Sequence, residues 1–165
     1  MQIAAMDKDV LSDGSGKAKI TWLSLQLIDR RNMTGANWSV SSVRSWLESD
    51  ILPALPEAVR ENIKEVDKTY HTKYAGSTLT SADSIWIPSM YELGQSGSVA
   101  ESSGVRYSEL FPDPKNTLLS KVWDGQSTEW WLRSRGDGDK YYFVSSLSSV
   151  NGTTNPAGVV FGFCT

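Results

Sequence analysis

Three apolar-aromatic runs near the C-terminus constrain the fold of this chain more than any other feature. They are Glu129-Trp130-Trp131-Leu132-Arg133-Ser134, Tyr141-Tyr142-Phe143-Val144 and Gly158-Val159-Val160-Phe161-Gly162-Phe163-Cys164, and the residues between them are rich in Gly, Asp, Ser and Asn. Short runs of this kind bounded by turn formers read as consecutive strands of a single antiparallel sheet, covering 129–134, 141–146 and 158–164. Successive side chains of a strand face opposite ways, so a Trp131 buried in the main core puts Trp130 on the other face. Trp46, Trp86, Trp131 and Phe161 are the expected core anchors. Asn151-Gly152 is a favoured hairpin turn pair and is expected to return the chain from the second run.

Upstream the pattern is mixed. Gln2–Met6 and the stretch 18–24 flank Asp13-Gly14-Ser15-Gly16 and predict a hairpin. Val43, Trp46, Leu47 and Ile51 fall at helical spacing, with Ser39 or Ser41 as N-cap and Pro53 as a stop. Pro56, Glu57 and the stripe Val59, Ile63, Val66 predict a second helix. The two helices are expected near 41–52 and 56–66, and 65–74 as an exposed strand or arm. Ser84-Ile85-Trp86-Ile87-Pro88 reads as a short strand, and Ser89 with Glu92 as a capping box for a short helix ended by Gly94. Gln95 to Gly104 reads as a surface loop, Leu118, Leu119, Val122 and Trp123 as an apolar patch, and Asp124-Gly125 as a turn. The fold class is α+β, with two helices packed on a mostly antiparallel twisted sheet. With 165 residues a single domain over 1–165 is expected, complete in itself or trimmed from a longer chain.

Composition excludes several functions. The net charge is −3, with no basic run beyond Arg30-Arg31, so nucleic acid and anionic membranes are poor partners. Met1 to Val10 has neither the basic leader nor the apolar core of a signal peptide, and no apolar run approaches membrane-spanning length. The single Cys164 excludes an internal disulfide or multi-thiolate metal site and reads as a small hydrophobe on the last strand. His71 has no carboxylate near it in sequence and reads as a solvated residue on a polar strand. Asp137 and Asp139 begin a calcium-like loop that lacks its downstream acids, so no metal and no cofactor is expected.

The order Ser41–Leu47 (S-x-V-R-S-W-L), Leu55–Arg60 (L-P-x-x-V-R), Ile85–Ser89 (I-W-I-P-S), Trp130–Ser134 (W-W-L-R-S) and Gly158–Cys164 (G-V-V-F-G-F-C) resembles a family of phage, prophage and gut-bacterial domains with this C-terminal signature. That family is similar to the C-type-lectin-like fold of formylglycine-generating enzymes and of phage receptor-binding proteins diversified by retroelements. The enzymatic branch needs a reactive cysteine pair, so its activity is not carried over to this chain. Family members usually have Pro after the W-W-L-R-S motif, whereas here Arg135 opens Arg135-Gly136-Asp137, a tripeptide that also spells an integrin-binding motif and arises easily by chance.

The resemblance implies a non-enzymatic ligand-binding module: a tail-associated adhesion domain on the virion, or a protein at the bacterial cell surface, that recognises a host cell-surface protein or glycan. Association into a homo-oligomer is left open. The residues expected to gather on its contact face are Trp130, Arg135, Asp137, Asp139, Tyr142, Asn151, Thr153 and Asn155, in a stretch whose Tyr, Ser, Asn and Thr content suits adaptable binding surfaces. Ser, Tyr, Asp, Gly and Thr are also reachable from an asparagine codon by adenine changes alone. The alternatives are a structural virion or cell-surface subunit without a ligand, and a glycan-acting enzyme built on a carboxylate pair such as Asp137 with Asp139 or Glu129 with Asp137.

Overall fold

The computed structural model describes residues 1–71, 77–95, 104–112, 119–136, 140–145, 150–153 (main chain only) and 156–165. Strand β1 (Gln2–Met6) pairs antiparallel with β2 (Ile20–Leu23), and β2 pairs antiparallel with β12 (Gly162–Cys164), so Phe163 lies opposite Trp22. The predicted turn joins β1 to β2: Asp13 Oδ1 accepts the Ser15 amide at 2.8 Å, and Gly14 takes φ +73°.

The larger sheet has the order β10-β9-β8-β11-β3. Its strands are β3 (Asp29–Arg31), β8 (Trp130–Arg135), β9 (Tyr141–Val144), β10 (Val150–Thr153) and β11 (Ala157–Val159). All pairs are antiparallel except β8 with β11, which run parallel at Gly158 opposite Trp130. Gly158 is required there, because a Cβ would sit 2.5 Å from Leu27 Cδ1 and 3.1 Å from the Glu129 carbonyl. Two antiparallel ribbons complete the strands: β4 (Val66–His71) with β5 (Thr78–Asp83), and β6 (Lys121–Trp123) with β7 (Gln126–Thr128). The second turns through Asp124 (φ +47°) and Gly125 (φ +74°), the pair of positive angles a tight hairpin needs.

One main helix packs against these strands. It starts at Ser41, whose Oγ accepts the Arg44 amide at 3.2 Å, and runs as an α-helix over Ser42–Trp46, a widened π turn over Leu47–Ile51 and a last α turn over Leu52–Ala54. The widening falls just before Pro53, which has no N–H to offer the carbonyl four residues back. The second expected helix shrinks to one turn, Glu57–Arg60. Its stripe of Val59, Ile63 and Val66 has helical spacing, but the Lys64 amide bonds to the Cys164 carbonyl at 2.9 Å and Val66 pairs with Leu11. Pairing with the neighbouring strands therefore outcompetes helix propagation beyond the turn.

Other expectations are corrected. The last run is not one strand of one antiparallel sheet: β11 and β12 belong to different sheets, and the chain changes over at Phe161, whose amide donates to Ser24 Oγ at 3.1 Å. Asn151-Gly152 does not turn; the two residues lie inside β10, opposite Phe143 and Tyr142. The stretch 84–88 makes a single bridge, Trp86 to Gly162, rather than a strand. His71 is buried, with Nε2 3.3 Å from Thr78 Oγ1, because β5 covers the strand expected to stand alone. Of the expected apolar patch, Leu119 is buried, Val122 and Trp123 are exposed, and Leu118 lies outside the described residues.

Burial divides into two clusters. The first contains Trp38, Trp86, Trp131, Tyr141, Phe143, Val159 and Phe161, with Trp46 packed against its edge; the second contains Leu23, Leu93, Tyr107, Phe111, Trp130, Leu132 and Val144. Alternation along β8 sends Trp131 to the first and Trp130 to the second, so both faces of this strand are core. Among the described residues no helix is long and apolar enough to cross a membrane.

Candidate functional site

The seam between the two clusters holds charge. Between Trp131 and Arg135 strand β8 advances four residues while β9, from Phe143 to Tyr141, advances two. A bulge of this kind re-aims side chains. The displaced residues bond elsewhere: the Arg133 main-chain amide donates to the Pro88 carbonyl at 2.9 Å, and the Ser134 side-chain Oγ accepts the Met90 amide at 2.8 Å. Arg133 is thereby turned onto Glu92 in a two-pronged ion pair, with Nη1 to Oε2 at 2.7 Å and Nη2 to Oε1 at 2.8 Å, and its Nε donates to the Thr69 carbonyl at 2.9 Å.

Glu92 is positioned by the predicted capping box. Its amide donates to Ser89 Oγ at 3.2 Å and its Oε2 accepts the Ser89 amide at 2.9 Å. Lys68 projects inward from β4 and completes the network: its ammonium bonds to Asp9, to Glu92 Oε1 at 3.2 Å and to the Tyr107 hydroxyl at 2.7 Å, and rests 3.8 Å above the centre of the Trp86 ring. Asp9 also accepts from Thr21 Oγ1. Trp86 belongs to the first cluster and Tyr107 to the second, so the network ties them together.

The network contains two carboxylates and two cations, all buried. Burial alone would raise the Glu92 carboxyl, but Arg133 and Lys68 overcome it and hold it at about 2. Burial, with Glu92 and Asp9 nearby, pushes the Tyr107 hydroxyl well above its ordinary range. Burial likewise raises the Cys164 thiol to about 12, with Asp9 adding to the effect. Each of these three groups therefore keeps one protonation state at neutral pH: Glu92 ionised, Tyr107 and Cys164 protonated.

A cleft of about 430 Å³ opens beside the network, between the N-terminal hairpin, the β4–β5 ribbon and the segment at Gly104. Asp9, Glu92 and Arg133 form its inner end, and Lys8, Lys17, Asp67, Thr69 and Thr80 its outer walls.

The residues expected on a common contact face separate. Trp130 is fully buried, its indole N–H donating to the Leu119 carbonyl at 2.8 Å, and is part of the second core. Arg135 is also buried: its Nη1 donates to the Gly35 carbonyl at 2.8 Å and its guanidinium lies 5.0 Å from the centre of the Tyr141 ring. The Arg135-Gly136-Asp137 tripeptide thus does not present its arginine as an adhesion motif would. Tyr142 is half-buried on β9, with Gly152 opposite it and Gly136 beside its ring. The main chain places Asn151 and Thr153 on β10; Asp137, Asp139 and Asn155 lie outside the described residues.

Sequence reasoning missed Asp9, Lys68, Tyr107 and Arg133 as partners. The capping box and the W-W-L-R-S motif flagged Glu92 and Arg133 separately, but nothing local signals that residues 9, 68, 92, 107 and 133 meet. Among the described residues no group of three or more His, Cys, Asp or Glu could hold a metal ion.

The fold defines a small mixed α+β domain of mostly antiparallel sheets on one main helix. Residues 15–163 match the family described as Domain of unknown function (DUF6273), and the chain belongs to that family. No curated protein and no solved structure matches it.

Proposed function

We propose that this domain is a ligand-binding module with a C-type-lectin-like fold: a receptor-binding, adhesive domain of a phage or prophage tail or of a bacterial cell surface. Its contact surface lies within 135–157, varied in sequence by a diversity-generating retroelement, and its ligand is a host cell-surface protein or glycan. The observation that carries this reading is Tyr142. It is a half-buried aromatic on β9, one strand in from the β10 edge, with glycines opposite and beside it, above a strand buried on both faces. A rigid aromatic with little side-chain entropy to lose, on a fixed support, suits a binding surface. With Trp130 and Arg135 buried, the contact set narrows to Tyr142, Asn151 and Thr153, together with Asp137, Asp139 and Asn155 from the sequence. The settled protonation of Glu92, Tyr107 and Cys164 favours binding over acid–base chemistry.

The test is to change Tyr142, Asp137 and Asn155 to Ala together and to measure melting temperature and attachment to host cells. Lost attachment with intact melting supports the reading, and full attachment by the folded variant removes it.

A second reading, a subunit that packs against neighbours without a ligand, draws on Leu25, Val122 and Trp123. All three side chains are exposed, and Lys121 Nζ, donating to the Leu25 carbonyl at 3.1 Å, sets the strand of Val122 and Trp123 beside Leu25. A stable homo-oligomer in solution that Trp123→Ser dissolves would favour it.

A further inference from the structure

We propose that the cleft beside the buried network binds a small zwitterion, a molecule carrying an ammonium and a carboxylate on one short skeleton. The cleft is separate from the surface around Tyr142. Its walls are built as a row of strands: Val10 pairs with Lys17, the Asp67 amide donates to the Val10 carbonyl at 2.9 Å, and Leu11 pairs with Val66. Lys17, Val10 and Asp67 therefore stand side by side across three segments. In the next row Thr69 faces Thr80 across the β4–β5 ribbon. Alternation separates two roles along these segments. Asp9, Val66 and Lys68 turn inward and are buried, whereas Lys8, Val10, Lys17, Asp67, Thr69 and Thr80 line the cleft.

The inward charges are committed. Asp9, Lys68, Glu92 and Arg133 neutralise one another at hydrogen-bond distance, so a ligand gains little by competing for them. The outward charges are not committed in this way. Lys17 and Asp67 make no ion pair among the described residues, and Lys8 meets Glu109 only at 3.5 Å, with both side chains close to half exposed. Two free charges of opposite sign thus stand about two strand spacings apart, roughly 10 Å between their main chains. A carboxylate placed at Lys17 and Lys8 with an ammonium at Asp67 satisfies both ends. A ligand with only one charge leaves one end unmet and faces a like charge there.

Thr80 supplies a hydroxyl on the β5 side of Asp67. Gly104 closes the wall at short range, since a Cβ there would fall 2.7 Å from Thr69 Oγ1. A cavity of about 430 Å³ falls within the range of small-molecule sites.

Calorimetric titration with γ-aminobutyrate, butyrate and butylamine tests the proposal, because the three probes share a carbon skeleton and differ in charge. The expected result is binding of γ-aminobutyrate at least about tenfold tighter than either singly charged probe. Asp67→Asn should abolish the preference over butyrate, and Lys17→Gln the preference over butylamine, both with unchanged melting temperature because these residues are exposed. The proposal is overturned if the folded protein binds none of the three. It is equally overturned if butyrate or butylamine matches γ-aminobutyrate, or if both variants retain the wild-type preferences. Attachment to host cells should be unaffected by either variant, which separates failure here from failure of the adhesive reading.

Discussion

The two sides of β8 make the instructive comparison. On the Trp131 side the chain packs a largely apolar core, in which Trp38, Trp86, Phe143 and Val159 meet, with charge confined to its edges: Asp83, paired with Arg44, accepts the Trp38 indole N–H at 3.1 Å, and the Lys68 ammonium rests on the Trp86 ring. At the seam reached by Arg133, a few residues along the same strand, four charges are buried together. The first region holds by area removed from water, tolerates modest swaps and specifies shape loosely. The second holds only if every member is present, because an unpaired buried charge is far more costly than a missing methylene. One strand therefore anchors both an adaptable and an unforgiving region, and its bulge is what divides them.

That difference sets the order of expected effects. Arg133→Met leaves Glu92 with Lys68 as its one cation among the described residues and should cost about 3–5 kcal/mol in chemical denaturation. Adding Glu92→Leu should recover part of that loss, since Asp9 and Lys68 remain paired. A single variant as stable as the wild type would show that the network contributes nothing.

Trp131→Ala and Trp130→Ala should each cost about 3–5 kcal/mol. The equality is the point, because it requires two cores, whereas a Trp130 on a solvent face would lose less than about 1 kcal/mol.

Acid sharpens the contrast. The Glu92 carboxyl lies at about 2 in the folded protein against 4.5 for the ordinary group. The stability it contributes is fully present above 4.5 and is lost as pH falls towards 2, because the unfolded chain takes up the proton first. The loss should reach about 3 kcal/mol across that window, and Glu92→Gln should flatten the acid slope of unfolding measured from pH 6 downwards.

A pH effect of comparable size, at the alkaline end, belongs to Lys121. Among the described residues its ammonium bonds only to the carbonyls of Ser24 and Leu25, and burial holds it down to about 8 from 10.5. Between those values the unfolded chain binds a proton that the folded chain has released, so this group makes stability rise with pH. Lys121→Met should remove that rise, as read from paired wild-type and variant denaturation curves, and change stability little at pH 7.

The apolar side was largely legible in the sequence. Trp86, Trp131 and Phe161 announce a core through run length and alternation, and Ser41 announces a helix start through its own chemistry; Ser89 and Glu92 form the expected reciprocal bonds, but the short helix expected to follow them is only a run of turns over 90–94. Local pattern also misled, and for physical reasons. Val59, Ile63 and Val66 carry helical spacing, yet the backbone of 64–66 is claimed by Cys164 and Leu11. Asn151-Gly152 has turn chemistry, yet sits in β10 because β9 supplies its partners. Trp130 was rightly placed on the opposite face, but no local signal says that Leu93, Tyr107 and Phe111 fold over that face. The ionic seam was the least legible, since alternation marks Lys68 as inward but cannot supply Asp9 or Arg133 to meet it.

Whether this seam is a scaffold or a reacting group is decided by the titration of Glu92, followed by the carbon-13 shift of its side-chain carboxyl. A carboxyl that stays ionised from neutral pH down to the acid limit of folding, with a midpoint near 2, is the predicted result. A midpoint between about 5 and 7, where general acids and bases work, would contradict it and mark the buried network as a candidate acid–base centre.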